Sequence, residues 1–215
     1  MKKLLDLAEI IFPSRCFGCG CLGPNICSTC RPLWNPHLYR STIDSLHVYS
    51  AIIYSPVAKR IILSAKENGI KAADDLIIHA LSHSLHLVLR DFEMGILIPT
   101  PSRKSSNRKR GRDFLSDITH SVARSESLDC VDLLEHTRKI KDQTGLTAHQ
   151  RSENIHHAVS VDRNKLAALG VDTDVILVDD LMTTGATLLE ARRALKVRGI
   201  RVIAAITACL APPLR

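Results

Sequence analysis

Two adjacent aspartates, Asp179 and Asp180, end an apolar run in the stretch VILVDDLMTTGAT, residues 175–187. Their carboxylates can accept hydrogen bonds from a pair of vicinal hydroxyl groups on a ligand. Two negative charges at the end of a buried strand are costly unless a ligand satisfies them, so the pair is a candidate binding site. The alternative interpretation is an acidic cap on an ordinary helix.

The turn after the aspartates, residues 183–187, has the composition of a phosphate-binding turn, and we call it the phosphate turn. It combines hydroxyl donors, a glycine that allows close backbone approach and the free N–H groups at the start of a predicted helix. These residues are Thr183, Thr184, Gly185, Ala186 and Thr187. A ribose 5-phosphate offers a phosphate for the turn and a 2,3-diol for the aspartates. The P-loop spacing G-x-x-x-x-G-K-[ST] is absent from this stretch.

Two C-x-x-C pairs lie close together in the stretch CFGCGCLGPNICSTC, residues 16–30. The predicted metal ligands are Cys16, Cys19, Cys27 and Cys30. Four thiolates suit a tetrahedral Zn²⁺, and a site with no open position is structural rather than catalytic. Cys21 is an alternative to Cys19, and redox motifs are an alternative explanation of the pairs. An odd, clustered set of seven cysteines favours metal ligands and reduced thiols over a disulfide framework.

Strand-like and helix-like segments alternate through the rest of the chain and predict an α/β fold with a mostly parallel sheet flanked by helices. Strands are predicted at 46–55, 94–101, 174–180 and 200–210. The domain division is an N-terminal part over residues 1–45, with a short helix, a zinc knuckle and a linker at 31–45, and a main domain over residues 46–215. Ligands of such sheets bind beyond the carboxyl ends of the strands, where Asp179 and Asp180 lie.

The charge of the chain favours an anionic partner, because the net charge is +7 and the pI is about 9.2. Residues 102–112, SRKSSNRKRGR, contain six basic and no acidic residues, and we predict a mobile basic loop. Such a run is also typical of a solvated loop. Aromatic content of 4% disfavours a nucleic-acid mode built on many stacked aromatics. Because no signal peptide and no membrane span are apparent, we expect a cytoplasmic protein.

The stretch 175–187 resembles the phosphoribosyl pyrophosphate signature of type I phosphoribosyltransferases. The chain is closer still to the ComF/GntX-like branch of that superfamily, which carries an N-terminal four-cysteine zinc element. It shares the P-x-P strand end before a basic segment, here IPTPSRKSSNRKRG at 98–111. A later block matches at Gln143, Leu146, Arg151, Asn154 and Ala158. These motifs occur in the family's order and cover nearly the whole chain.

The resemblance implies a role for each matching position. Phosphoribosyl pyrophosphate or a nucleotide would bind to Asp179, Asp180, Thr183, Thr184, Gly185, Ala186, Thr187, Thr100 and Ser102. The turn at 100–103 would hold the pyrophosphate, and Mg²⁺ would bridge the pyrophosphate and the ribose hydroxyls. The residues implied in catalysis are Asp179, Asp180, Arg103 and Lys104. They would position the reactants and neutralise charge while pyrophosphate leaves the anomeric carbon.

One departure from the family's sequence pattern bears on the substrate. The family commonly shows RGFNQ after the basic segment, whereas this chain has RGRDF at 110–114. Asp113 and Phe114 replace the amides, so any contact of those amides with a substrate is altered.

The sequence leaves three functions open. The first is an enzyme that transfers ribose 5-phosphate to a nitrogen acceptor. The second is a protein linked to competence and DNA uptake that binds single-stranded DNA through 103–112, and the third is a nucleotide sensor without catalysis. The sequence does not predict the oligomeric state.

Overall fold

The computed structural model describes residues 14–92, 95–138, 148–166, 169 and 173–211. The strands of the described residues are β1 (Tyr39–Ile43), β2 (Leu46–Ile53), β3 (Ile96–Pro99), β4 (Leu134–His136), β5 (Val159–Val161), β6 (Asp174–Met182) and β7 (Arg201–Leu210). The helices are α1 (Pro56–Lys66), α2 (Lys71–Asp91), α3 (Lys104–Arg110), α4 (Phe114–Ser125), α5 (Ala148–Ile155), α6 (Arg163–Leu166) and α7 (Ala186–Lys196), with a 3-10 helix at Arg31–Trp34. The helix predicted in the first residues, together with Gln143 and Leu146, lies outside the described residues.

The main sheet has five strands in the order β1-β2-β7-β6-β3. Strands β2, β7, β6 and β3 run parallel to their neighbours, and only the pair β1 and β2 is antiparallel. A separate two-stranded antiparallel sheet joins β4 and β5. The predicted mostly parallel sheet flanked by helices is confirmed.

Strand β6 is packed against a hydrophobic cluster on each of its two faces, which explains its continuous apolar sequence. Ile176 and Val178 pack into one core cluster with residues of α1, α2 and α4. Val175 and Leu177 pack into a second cluster with residues of α7 and of the small sheet. Both faces of β6 are therefore covered, as expected for an inner strand of a parallel sheet.

The interpretation of residues 31–45 as a linker was wrong. This segment holds the 3-10 helix and the edge strand β1, which pairs with β2 from Tyr39 opposite Ser50 to Ile43 opposite Leu46. The two strands are joined through Asp44 and Ser45, whose φ angles are 42° and 60°. Tight hairpin turns with positive φ usually carry glycine or asparagine, so this Asp-Ser turn gave no recognisable hairpin signal.

The interpretation of the basic segment as a loop was also wrong, because α3 occupies most of it. This helix ends at Gly111, whose φ of 71° is the left-handed conformation of a helix C-terminus. The Arg110 guanidinium donates to both carboxylate oxygens of Glu67, at 3.1 and 2.7 Å. A seven-residue helix of the polar sequence KSSNRKR has no apolar periodicity for a sequence pattern to reveal. No helix of the described residues is long and apolar enough to span a membrane.

Candidate functional site

Asp179 and Asp180 lie near the carboxyl end of β6, but their side chains lie in different surroundings. Successive side chains of a strand point to opposite faces. Asp179 is half-buried and lines a small concavity together with the phosphate turn. Asp180 is 7% exposed and contacts Lys66, the last residue of α1, on the other face.

Lys66 is a residue of this region that sequence reasoning missed. Its Nζ donates to Asp180 Oδ2 at 2.5 Å, and it lies 5.9 Å from the centroid of the Phe114 ring. A lysine in the last turn of a helix is an ordinary complement to the helix dipole, so its position in the sequence carried no signal. Only the packing of α1 over the end of β6 brings it to the aspartates.

The ion pair makes the two neighbouring carboxylates electrostatically unequal. Burial raises the pKa of Asp179, and the negative charge of Asp180 raises it further. Burial also opposes ionisation of Asp180, but the charge of Lys66 and its hydrogen bond outweigh burial and lower the pKa of Asp180. Asp180 is therefore a stable anion paired with lysine, whereas Asp179 is the group that can take up or release a proton when a ligand binds.

The phosphate turn has the backbone geometry that its sequence predicts. Gly185 is the N-cap of α7 with a φ of 75°, and this N-cap residue makes no side-chain hydrogen bond to the helix. Thr184 Oγ1 lies 3.4 Å from the Ala186 nitrogen, and Thr183 and Thr184 are exposed. A Cβ at residue 185 would collide with Ile43 Cδ1, so β1 closes over the turn at a point where only glycine fits. The exposed N-terminus of an eleven-residue helix with hydroxyl groups beside it can hold a phosphate.

The predicted pyrophosphate turn follows the neighbouring strand β3. The Thr100 nitrogen donates to the Val178 carbonyl at 2.9 Å, which places Thr100 beside Asp179 at the same edge of the sheet. Thr100 and Ser102 line a second, larger cavity, and they are not part of the concavity at the phosphate turn. Arg103 is the N-cap of α3 and Lys104 is its first residue.

Arg112, Asp113 and Phe114, where this chain has RGRDF instead of the family's RGFNQ, contribute to the fold around the site. Arg112 donates to both carboxylate oxygens of Asp74, at 2.7 and 2.8 Å, and to the Ala65 carbonyl. Asp113 accepts a hydrogen bond from Asn107 Nδ2 at 2.6 Å, and Phe114 is fully buried. These positions thus hold α3 and α4 against α1 and α2.

The four predicted metal ligands meet in space. The Sγ atoms of Cys16, Cys19, Cys27 and Cys30 all lie within 4.8 Å of one another. The Cys19 and Cys27 sulfurs are 3.6 Å apart, and the Cys27 nitrogen donates to Cys16 Sγ at 3.3 Å. Cys21 is exposed and is not a member of this cluster. Four clustered sulfurs are the donor set of a closed tetrahedral site, so the cluster can bind a metal ion.

The tight approach of the chain to itself explains how the cluster forms. A Cβ at Gly18 would lie only 2.7 Å from Cys30 Sγ, so glycine lets the two C-x-x-C segments come together. Cys16 and Cys30 are buried, and the cluster packs beside Trp34 and Val57 of the main core. The cysteine element is thus continuous with the hydrophobic core rather than attached to it by a free linker.

The sequence matches a known domain, and similar folds exist among solved structures. Residues 112–213 match the phosphoribosyl transferase domain, and this stretch includes Asp179, Asp180 and the phosphate turn. Adenine phosphoribosyltransferase from Saccharomyces cerevisiae is similar over 80% of this chain and 83% of its own, with 12% identity and a TM-score of 0.42. The enzyme from Giardia lamblia is similar over 81% and 94%, with 15% identity and a TM-score of 0.42. The enzyme from Leishmania tarentolae is similar over 69% and 74%, with 11% identity and a TM-score of 0.39. No curated protein sequence matches the chain.

Proposed function

We propose that this chain, part of which matches the phosphoribosyl transferase domain, binds the ribose 5-phosphate part of phosphoribosyl pyrophosphate or of a nucleotide. The observation that carries the proposal is the concavity lined jointly by Asp179 and the phosphate turn. The N–H groups of α7 and the threonine hydroxyls would hold the phosphate. The Asp179 carboxylate would accept hydrogen bonds from the ribose diol, with Asp180 held as an anion by Lys66 close to it.

The pyrophosphate and Mg²⁺ belong to the same proposal. Thr100 and Ser102 follow the strand next to β6, so a pyrophosphate bound there would lie beside the ribose. Carboxylates and phosphate oxygens are the ligands that Mg²⁺ prefers, and Asp179 is the available carboxylate at this edge. The ion would supply neutralisation of the pyrophosphate charge.

A second candidate function is catalysis by the same site. Transfer would break the bond between the anomeric carbon and pyrophosphate and would form a bond to a nitrogen acceptor. Little covalent help from the protein is needed, because positioning and charge neutralisation lower the barrier. Arg103, at the start of α3 and next to the proposed pyrophosphate site, is the residue that supports this candidate.

We further propose that this chain is a ComF/GntX-like protein linked to DNA uptake. The four-cysteine cluster and the basic residues at 103–112 support it. Arg110 and Arg112 are held in ion pairs with acidic residues of α1 and α2, whereas Arg108 and Lys109 are exposed. Arg108 and Lys109 are therefore the residues through which we propose contact with the phosphates of single-stranded DNA.

Calorimetry with phosphoribosyl pyrophosphate and Mg²⁺ tests the main proposal. We expect one site per chain in the wild type, loss of binding in Asp179→Asn, and wild-type binding in Asp75→Asn, which removes an exposed charge from α2. No binding by the folded wild type would contradict the proposal and would favour DNA binding as the primary function. Release of pyrophosphate in the presence of a nitrogen acceptor would show the catalytic function.

Fluorescence anisotropy with a single-stranded oligonucleotide tests the DNA assignment. The slope of log affinity against log salt should become shallower by about 1.4 in Arg108→Ala/Lys109→Ala, because two phosphate contacts are lost. Binding of phosphoribosyl pyrophosphate should not change in this variant. An unchanged slope would exclude these two residues as the DNA contact.

A further inference from the structure

Helix α2 carries three histidines on its solvent-facing side, at His79, His83 and His86. Their spacings of four and three residues place them within a helical sector of about 60°, because an α-helix has 3.6 residues per turn. His79 and His86 are exposed and His83 is half-buried. All three rings are therefore accessible to a dissolved ligand, and none of them lines the concavity at the phosphate turn.

A fourth imidazole joins these rings from a distant part of the chain. Burial lowers the pKa of His83, and the protonated forms of His79 and His86 lower it further. His37 and Arg90 act in the same direction. Charges near the surface interact in this way only at short range, since salt screens them beyond about 10 Å. The four histidines therefore form one patch, which we call the histidine patch, and the His83 ring is neutral near pH 7, the form that ligates a metal ion.

Two rings of the histidine patch have hydrogen-bond partners and two have none. His86 Nε2 lies 2.7 Å from Glu126 Oε2, at the C-terminal end of α4. His37 Nε2 lies 3.4 Å from the amide nitrogen of a nearby asparagine. His79 and His83 have no hydrogen-bond partner among the described residues. The two rings with free nitrogen atoms are thus the pair that is separated by four residues on one helix.

Histidines four residues apart on a helix can chelate one metal ion. Their Cβ atoms are about 5–6 Å apart, and an imidazole nitrogen lies about 2.0–2.1 Å from a bound Zn²⁺, so two such rings can turn toward the same ion. The same spacing supplies two zinc ligands in the H-E-x-x-H motif of metalloproteases. Here Ala80 follows His79, so the glutamate that acts as general base in that motif is absent. The pair therefore has the spacing for binding an ion without the group for hydrolysis.

The chemistry of the pair selects the kind of ion. Among the described residues, only the cysteine cluster brings three or more potential ligands within reach of one ion, so the histidine pair offers two ligands and leaves the other positions to water. Neutral imidazoles suit Ni²⁺, Cu²⁺ and Zn²⁺, whereas Mg²⁺ and Ca²⁺ prefer oxygen ligands. The expected ligand is therefore a transition-metal ion and not the Mg²⁺ that accompanies a pyrophosphate.

We propose that His79 and His83 form a surface site for a divalent transition-metal ion, separate from the cysteine cluster. The proposal goes beyond the ribose-phosphate function and does not depend on it, because neither histidine lines the concavity at the phosphate turn. His86 lies on the same face of α2, but its hydrogen bond to Glu126 holds it outside the pair.

Calorimetry with Ni²⁺ tests the proposal, on the full chain loaded with Zn²⁺ and without phosphoribosyl pyrophosphate. We expect one Ni²⁺ per wild-type chain and an affinity about tenfold or more lower in His79→Gln and in His83→Gln, since even a group that only supports a metal ligand contributes 10–100-fold. The matched controls His86→Gln and His120→Gln each remove an imidazole that already pairs with a carboxylate, and they should bind Ni²⁺ as the wild type does. The exposed His79 keeps the test valid if His83→Gln unfolds.

Three results would overturn the proposal. They are absence of Ni²⁺ binding to the folded wild type, unchanged affinity in His79→Gln, and a loss in His86→Gln as large as that in His79→Gln. Because no phosphoribosyl pyrophosphate is present, failure here is distinguishable from failure of the proposed ribose-phosphate function. Binding of phosphoribosyl pyrophosphate with Mg²⁺, measured separately, should be the same in His79→Gln and in the wild type.

Discussion

Lys66 Nζ lies 2.5 Å from Asp180 Oδ2, although the two residues are 114 positions apart in sequence. This ion pair gives the two adjacent aspartates different electrostatic surroundings. The lysine is 30% exposed and the carboxylate 9%, so the pair is largely removed from water. The Lys66 cation pairs with Asp180, whereas Asp179 accepts a hydrogen bond from the backbone N–H of Asp180 at 2.9 Å, which leaves its charge without a counter-ion of its own among the described residues. The acidic pair is therefore not a symmetric clamp in the ligand-free protein.

Removal of Lys66 should destabilise the fold, because it leaves Asp180 buried without its counter-charge. We expect Lys66→Ala to lower the free energy of unfolding by about 2–4 kcal/mol, the range for breaking a mostly buried pair. Urea denaturation measures the effect. Lys59→Ala removes an exposed lysine from the same helix and should change stability by less than about 0.5 kcal/mol.

Equal effects of the two lysine variants would show that the ion pair contributes nothing. The double variant Lys66→Met/Asp180→Asn provides a further check, since it removes both charges together. It should recover part of the stability lost in Lys66→Ala.

Asp179→Asn should stabilise the protein at alkaline pH. The pKa of Asp179 is raised in the folded state, so its favourable contribution is complete below the unfolded pKa of about 3.9 and is lost as the pH rises through the folded value. The ionised wild type is then less stable than the amide variant. We expect a difference of about 1 kcal/mol or more at pH 8, shrinking as the pH falls toward 4, measured by urea denaturation at several pH values.

If the stability difference between Asp179→Asn and the wild type grows on acidification, it has the wrong sign and contradicts the raised pKa of Asp179. Asp75→Asn, which removes an exposed acidic charge from α2, is the control variant. A gain in stability together with a loss of ligand binding is expected for a residue retained for function.

Gly185→Ala should disrupt the phosphate turn more than the strain of its backbone alone explains. Gly199→Ala is the matched control, because both residues have a φ of 75° but nothing lies within 4 Å of a Cβ at 199. We expect a loss of about 1–2 kcal/mol at Gly199 and a further loss of about 1–3 kcal/mol at Gly185, where the Cβ meets Ile43. Calorimetry should show weakened binding of phosphoribosyl pyrophosphate only in Gly185→Ala.

The Ile43→Ala background identifies the cause of that difference. Shortening Ile43 removes the Cδ1 atom that a Cβ at 185 would strike. If the excess cost of Gly185→Ala persists in this background, the contact with β1 is not its source.

The sequence predicted the parts of the structure that follow from local pattern. The buried strand β6, the turn after it and the meeting of the two C-x-x-C pairs all follow from apolar runs, glycine and cysteine spacing. Lys66 could not be predicted, because its partner is far away in sequence and its own position is that of an ordinary helix end. Strand geometry turns successive side chains to opposite faces. The assignment of both Asp179 and Asp180 to one ligand stays a prediction.

Helix α3 and strand β1 were missed for a common physical reason, since neither depends on an apolar stripe. The helix is held by Arg110 and by the Asn107 to Asp113 hydrogen bond, and the strand by backbone pairing with β2. Contacts of this kind appear only once the chain is folded. The domain boundary between residues 45 and 46 stays a prediction.

Cys19→Ser and Cys21→Ser provide a matched test of the metal site. The two exposed cysteines are two residues apart, but only the Cys19 sulfur belongs to the four-sulfur cluster. We expect the wild type and Cys21→Ser to release one Zn²⁺ per chain on thiol modification, measured with a chromogenic chelator, and Cys19→Ser to release none. Because the cluster packs beside Trp34 in the main core, Cys19→Ser should also lower the melting temperature, and chelation should lower that of the wild type. Zinc loss in Cys21→Ser with retention in Cys19→Ser would reverse the ligand assignment, and absence of zinc in all three proteins would reject the site.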